Sequence, residues 1–219
     1  MQQRATHEVI LDAIAQERAR ASTRRGLVSG GAKLAAGSAL ALAATPALGR
    51  MRTMAQAFEG PVDVLNYALT LEHLEYAFYR DGLDQFTDDQ FEDGVYDRLT
   101  EIRDHEGAHV ETLTQVINDL GGEPVEEAEY DFGYGDDPDA FLEVAAALEN
   151  TGVSAYDGAG AALIENDDLL TAAGTIVAVE ARHASYLNLI TGEVPFPAAF
   201  ETPLSRAEVL EIAGPFIVS

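Results

Sequence analysis

The chain contains no cysteine and no tryptophan. The missing cysteine removes disulfides, thiolate metal sites, iron–sulfur clusters and cysteine nucleophiles together. Basic residues are also scarce. Lysine occurs once, at Lys33, and Lys and Arg total 13 against 38 Asp and Glu, a net charge of −25. The acids are spread along the chain, so the surface repels nucleic acid and anionic membranes, and neither is expected as a partner. An acidic, lysine-poor surface is similar to that of halophilic, salt-adapted proteins, where screening moderates self-repulsion. No segment alternates strongly enough to form a strand. What remains is a chain of 219 residues, 47% apolar, long enough for one domain with a sizeable core.

The first 49 residues do not read as part of that core. Arg24 and Arg25 precede SGGAKLAAGSALALAATPALG, a mild apolar run of small residues ending in Ala47-Leu48-Gly49. This resembles a twin-arginine export signal with a small-residue cleavage site after Gly49. The alternative is an uncleaved N-terminal anchor helix, for which the Gly- and Ala-rich run is weakly apolar. A helical-looking extension of 23 residues comes before it. Export leads to an extracytoplasmic or cell-surface protein. Residues 50–219 then form the mature domain, with seven arginines, no lysine and 35 acidic residues.

Four amphipathic segments follow, so the expected class is all-α, a four-helix bundle. Helix one starts at Pro61, a first-turn proline, with Gly82 read as its stop. Helix two spans about Phe91 to Leu120 and ends at Gly121-Gly122. Helix three is capped by Asp137 or Asp139 and continues to about Leu163. Helix four follows Asn166-Asp167-Asp168 and stops at Gly192. A short C-terminal helix begins at Ser205, with Glu208 spaced for a capping box. Short links make helices one and two, and three and four, antiparallel hairpins. The link GGEPVEEAEYDFGYGD between them reaches roughly 50 Å when extended. A 25-residue helix is only about 38 Å long. The link is therefore long enough to be a crossover that runs the length of the bundle.

Each helix places one glutamate in the middle of its inward stripe: Glu72, Glu106, Glu149 and Glu180. Helices two and four add a histidine three residues on, His109 in EGAH and His183 in EARH. At that spacing both side chains leave one helix face toward one point. Four buried carboxylates cannot all stay ionised without cations, and two metal ions would compensate them. Carboxylate and imidazole donors without sulfur suit iron or manganese, with zinc a further option. The order repeats. Glu72 with Tyr79 seven residues later is matched by Glu149 with Tyr156, and each is followed by a Glu-x2-His helix. Two such hairpins would surround the ligands with a pseudo-two-fold axis. Glu75 competes with Glu72 for the helix-one position. The repeat favours Glu72, because the counterpart of Glu75 is Gly152. Tyr79 and Tyr156 are placed either to tune a metal by hydrogen bonding or to pack the core. His73 and His105 fall off the inward stripe, which places them at the surface or behind the ligands, and changing either is expected to do little.

This motif set resembles the di-iron carboxylate proteins of the ferritin-like superfamily over about residues 58 to 192. With the leader and the C-terminal PFP…PF tail, it looks most like exported ferritin-like domain proteins. The resemblance implies Glu72 and Glu149 as single-carboxylate ligands. It further implies Glu106 and Glu180 as bridging carboxylates and His109 and His183 as terminal imidazoles. It implies two metal ions, iron first and manganese next. The expected chemistry is that of an oxidoreductase acting with dioxygen or peroxide, oxidising Fe(II) or removing peroxide. The alternative is a non-catalytic metal-binding or stress-protective bundle. No Cys-x2-Cys module is present for rubrerythrin-type electron delivery, and Met51 and Met54 precede helix one, away from any haem-ligating position. The outer helix faces leave homo-oligomer formation open.

Overall fold

A computed structural model describes residues 58–218. The leader and extension expected over residues 1–49 lie outside these described residues. The chain forms α1 (Pro61–Gln85), α2 (Val95–Asp119), α3 (Pro138–Ala159), α4 (Asp167–Ile190) and α5 (Arg206–Ala213). Among the described residues there is no strand; one antiparallel bridge joins Tyr130 to Ile217. The fold is all-α, a bundle of helices, as the periodicity predicts. No helix among the described residues is long and apolar enough to cross a membrane.

Local chemistry sets most helix ends. Asp137 accepts hydrogen bonds from the backbone N–H groups of Asp139 and Ala140 at 3.0 and 3.3 Å. Asn166 accepts one from Leu169 at 3.1 Å. Both satisfy donors that the first turn leaves unpaired. At the end of α2, Gly121 has φ +74°, and the N–H groups of Gly121 and Gly122 bond the carbonyls of Asn118 and Ile117. Gly192 and Glu193 repeat this closure on Leu189 and Asn188. Ser205 and Glu208 form the expected capping box.

Three boundaries differ from the sequence expectation. Helix α1 does not stop at Gly82 but continues to Gln85. Gly82 serves packing instead: a Cβ there would lie 2.1 Å from the Phe141 ring. Phe141 in turn stacks on Phe78 with centroids 4.5 Å apart. Helix α2 begins at Val95, not Phe91, because Asp88–Gln90 form a tight turn in which the Thr87 N–H donates to Gln90 Oε1 at 2.9 Å. The last residues assigned to helix three, Gly160–Leu163, tighten into a 3-10 turn.

The crossover lies along α1. Asn66 Nδ2 donates to the Glu123 carbonyl, and the Val125 N–H donates back to Asn66 Oδ1. The His73 ring contacts the Val125 carbonyl at 3.2 Å, Arg80 pairs with Glu127, and Gln85 reaches the Gly135 carbonyl. Asn66, His73 and Arg80 are seven apart, so they form one outward track on α1. The link therefore starts α3 beside the C-terminal end of α1 and makes these two helices antiparallel. The tail closes the other side. The Leu204 N–H bonds the Ser154 carbonyl at 3.0 Å, and Arg206 grips both oxygens of Asp63. Val209 and Ala213 are buried.

Because the Gly82–Phe141 contact has no free volume, Gly82→Ala should destabilise the fold by about 1–3 kcal/mol through overpacking. Denaturant midpoints of wild type and variant check this. An unchanged or raised midpoint contradicts the contact.

Candidate metal centre

The mid-stripe glutamates of all four long helices meet at one place. Glu72, Glu106, Glu149 and Glu180 are each 0% exposed. His183 is buried as well, and the His109 side chain is 12% exposed. Two groups of donor atoms converge. One is Glu72, Glu106, His109 and Glu180; the other is Glu106, Glu149, Glu180 and His183. Within each group the donor atoms lie within 4.8 Å of one another. Glu106 and Glu180 belong to both.

The distances are those of a coordination shell more than of a hydrogen-bond network. His109 Nδ1 is 3.1 Å from Glu72 Oε2, 3.0 Å from Glu106 Oε2 and 3.0 Å from Glu180 Oε1. His183 Nδ1 is 3.0 Å from Glu106 Oε1 and 3.3 Å from Glu149 Oε2. One ring nitrogen has one hydrogen or one lone pair to direct, so it cannot bond well to three oxygens. Neighbouring ligands of a hard divalent cation bound at about 2.1 Å are, at right angles, about 3.0 Å apart. The orphaned atoms agree. Glu106 Oε1, Glu149 Oε2, both Glu180 oxygens and His183 Nδ1 are buried without a directed hydrogen bond. Such groups cost about 1–3 kcal/mol each when left unpaired, more when charged. A bound cation would satisfy all of them at once. The residues therefore fit a carboxylate–histidine metal site.

The two tyrosines hold the carboxylates crosswise. Tyr79 of α1 donates to Glu149 Oε1 of α3 at 2.7 Å. Tyr156 of α3 donates to Glu72 Oε1 of α1. A tyrosine two turns from its own helix's glutamate is about 10 Å away along the axis. In the antiparallel partner the same spacing brings it opposite. Both phenols are fully buried, and burial followed by carboxylate repulsion pushes them well above the ordinary tyrosine range. They stay protonated and act as donors.

Sequence position alone does not reveal the role of His105. Its ring lies nearly parallel to that of His183, end to end with it, centroids 5.2 Å apart and its Nδ1 2.9 Å from His183 Nε2. Were His183 Nδ1 to offer a lone pair to a metal, Nε2 would carry the hydrogen and donate it to His105 Nδ1, which would fix the ring orientation of His183. His105 falls off the inward stripe because it crosses from α2 to α4 rather than entering the core. His73 binds the crossover and takes no part in the centre.

Glu75 lies one turn from Glu72, 3% exposed, and belongs to neither group of converging donors. Its Oε1 would be 3.0 Å from a Cβ at position 152, so the glycine leaves the space that Glu75 fills. Burial, reinforced by Glu149 and the other carboxylates, pushes Glu75 well above the usual carboxylate range.

A four-helix bundle with a long crossover and a glutamate–histidine cluster drawn from all four long helices defines a class of helical-bundle proteins with a polar centre. A profile of the ferritin-like domain matches residues 60–193, and the chain belongs to that family. It is also 28% identical over 162 residues to Protein rds1 of Schizosaccharomyces pombe. That match covers 70% of this chain and 38% of the length of the relative.

In the cluster by itself, protons supply the counter-charge. Burial, with repulsion from Glu180 next, raises Glu72 and Glu149 well above the carboxylate range. Burial opposes charging of His109 and His183, but the surrounding carboxylates outweigh it and push both up to about 12. Glu180 is desolvated too, yet the close imidazoles of His109 and His183 lower it to about 2. The native state thus holds protons that the unfolded chain releases. The histidine contribution is complete below the ordinary value of 6.5 and is lost as pH rises toward 12. The raised glutamates add stability as pH falls toward 4.5, below which the Glu180 contribution begins to be lost. Metal-stripped protein should therefore be more stable at pH 5 than at pH 8 in urea titrations. A flat or opposite dependence contradicts the buried cluster.

Proposed function

We propose that this bundle binds two metal ions, iron first and manganese next, and serves metal-dependent oxidation or the handling of peroxide or iron. The observation that carries the proposal is the pair of donor groups sharing Glu106 and Glu180, with buried donor atoms left unpaired. Glu72 and His109 would complete one ion's shell, and Glu149 and His183 the other's. Glu106 and Glu180 would serve both. Tyr156 and Tyr79 each restrain one oxygen of Glu72 and Glu149, leaving the second oxygen of each toward the centre. His105 would orient His183. When bound, a metal pair of this ligand type supplies electrons to dioxygen or peroxide. The chain's own part is to hold the ligands rigidly and keep bulk water out. The same centre in a non-catalytic metal-binding bundle would show no redox turnover of its metal. We further propose that residues 22–49 direct twin-arginine export to an extracytoplasmic site, which suits a protein that gathers its metal while folding.

Purified protein should contain about two metal ions per chain by elemental analysis, and its optical spectrum should change on adding peroxide. Glu106→Ala should lower the content below one ion, because the lost carboxylate serves both. His109→Ala should weaken one site more than the other. His105→Ala should reduce affinity roughly 10-fold or more through the misoriented His183, while His73→Ala leaves metal content unchanged. Metal-free purified protein and an unaffected Glu106→Ala variant would overturn the reading. Export has its own test. Replacing Arg24 and Arg25 with lysine should retain the protein in the cytoplasm, and undiminished export would refute the twin-arginine route.

A further inference from the structure

The long helices differ sharply in the charge they show to solvent. Asp81 and Asp84 are exposed on α1, Glu101 and Glu111 on α2, and Glu143 and Asp157 on α3. On α4 the only acidic residue from Leu169 to Gly192 is Glu180, and it is buried in the carboxylate cluster. Thr171, Ala172, Thr175 and Ala178 of α4 are exposed, and Val179 is half-buried. The 3.6-residue period brings these five to one side of the helix, with Asp168 a turn before them and Arg182 a turn after.

Two details suit this face to burial. Thr175 Oγ1 donates to the Ala172 carbonyl of its own helix at 2.7 Å, so excluding water there leaves that hydroxyl paired. Gly174, at the edge of the face, has nothing within 4 Å of the place a Cβ would take. A glycine inside a helix is less stable than alanine. No contact within the chain accounts for it, whereas the close approach of a second helix would.

Charge names the occupant. Arg80, Arg98, Arg103 and Arg206 each hold a carboxylate. Arg182, the remaining arginine of residues 58–218, is exposed and forms no ion pair among the described residues. Thr175 lies midway between it and Asp168, which is also exposed. When a second copy is turned end for end about Thr175, Arg182 of each copy faces Asp168 of the other. A basic partner would be drawn to the acidic faces instead, and an anionic one is repelled by the net charge of −25. Another copy of this chain meets like charge on the other helix faces and none along this one.

We propose that two copies of the chain associate through this face, α4 against α4 and antiparallel, about a two-fold axis at Thr175. The contact is self-complementary, as a closed two-fold pair requires. Methyl groups of Thr, Ala and Val meet across the axis, and an Arg182–Asp168 pair closes each end. Glu180 and His183 leave α4 on its buried side, so the association does not depend on the metal reading. Exposed ion pairs contribute little, whereas self-repulsion involves the whole charge of both copies. Salt therefore favours the pair, because the screening length falls from about 10 Å at 0.1 M to about 3 Å at 1 M.

Sedimentation equilibrium of the full chain as purified should show a monomer–dimer equilibrium whose dimer fraction rises with NaCl. Ala178→Glu places a good helix former at an exposed position, so its circular dichroism should match wild type. It should weaken association at least roughly tenfold by setting like charges against each other. Ala147→Glu, on the exposed side of α3, should leave association unchanged. Arg182→Glu should weaken it, and adding Asp168→Arg should restore it. Because the chain has no cysteine, Thr175→Cys supplies a single thiol, which should form a disulfide between copies on oxidation; Ala147→Cys should not. The proposal is overturned by a monomer at high salt, by dimers that survive Ala178→Glu, or by cross-linking through position 147 and not 175. Flotation of the monomer with zwitterionic lipid vesicles, abolished by Ala178→Glu, would also overturn it by making the face a lipid contact.

Discussion

Like charge buried in a core is the constraint on which this structure turns. Four carboxylates, one from each long helix, lie at zero exposure within a few ångströms of one another. Each isolated charge would cost several kcal/mol after relaxation. Only counter-charge can keep them there, and the two imidazoles at their centre are too few and too directional to supply it. Protons meet the need partially, as the raised Glu72 and Glu149 show. Cations meet it in full, because one ion accepts several donors at once from different directions.

The same constraint explains why the halves of the molecule interlock. Neither hairpin completes a donor group alone. The group around His109 takes Glu72 and Glu106 from the first hairpin and Glu180 from the second. The group around His183 takes Glu149 and Glu180 from the second and Glu106 from the first. The tyrosines cross in the same sense, α1 to α3 and back. Every element of the repeat therefore acts on its counterpart. The interior couples the hairpins through polar contacts as firmly as through the Phe78–Phe141 stack.

Around the polar layer the packing is ordinary. Leucine, isoleucine and aromatic side chains fill most of the interior, and the crossover and tail seal the outer faces of α1 and α3. The cavity beside Tyr156 is the exception, an apolar space against a cluster of charged donors.

Helix number, the order of the ligand-bearing segments and the inward placement of Glu72, Glu106, Glu149, Glu180, His109 and His183 were legible in the sequence. They follow from a 3.6-residue period, and periodicity is a local property that any single helix expresses. The cap of α3, narrowed to Asp137 or Asp139, and the capping box at Ser205 were legible because capping is local too. The end of α1 was not. Gly82 reads as a stop by propensity, but Phe141, 59 positions on in the chain, needs the absent side chain for its ring. The stripe position of His105 left open the surface or a place behind a ligand, and its partner on another helix decided between them. The repeat showed that Tyr79 and Tyr156 are equivalent without showing whose carboxylate each would bind. That choice depends on α1 and α3 running antiparallel. Their direction is decided by the track along which the crossover docks, through contacts between residues far apart in the chain. The sequence determined which side chains face inward; only the tertiary structure decided which of them meet.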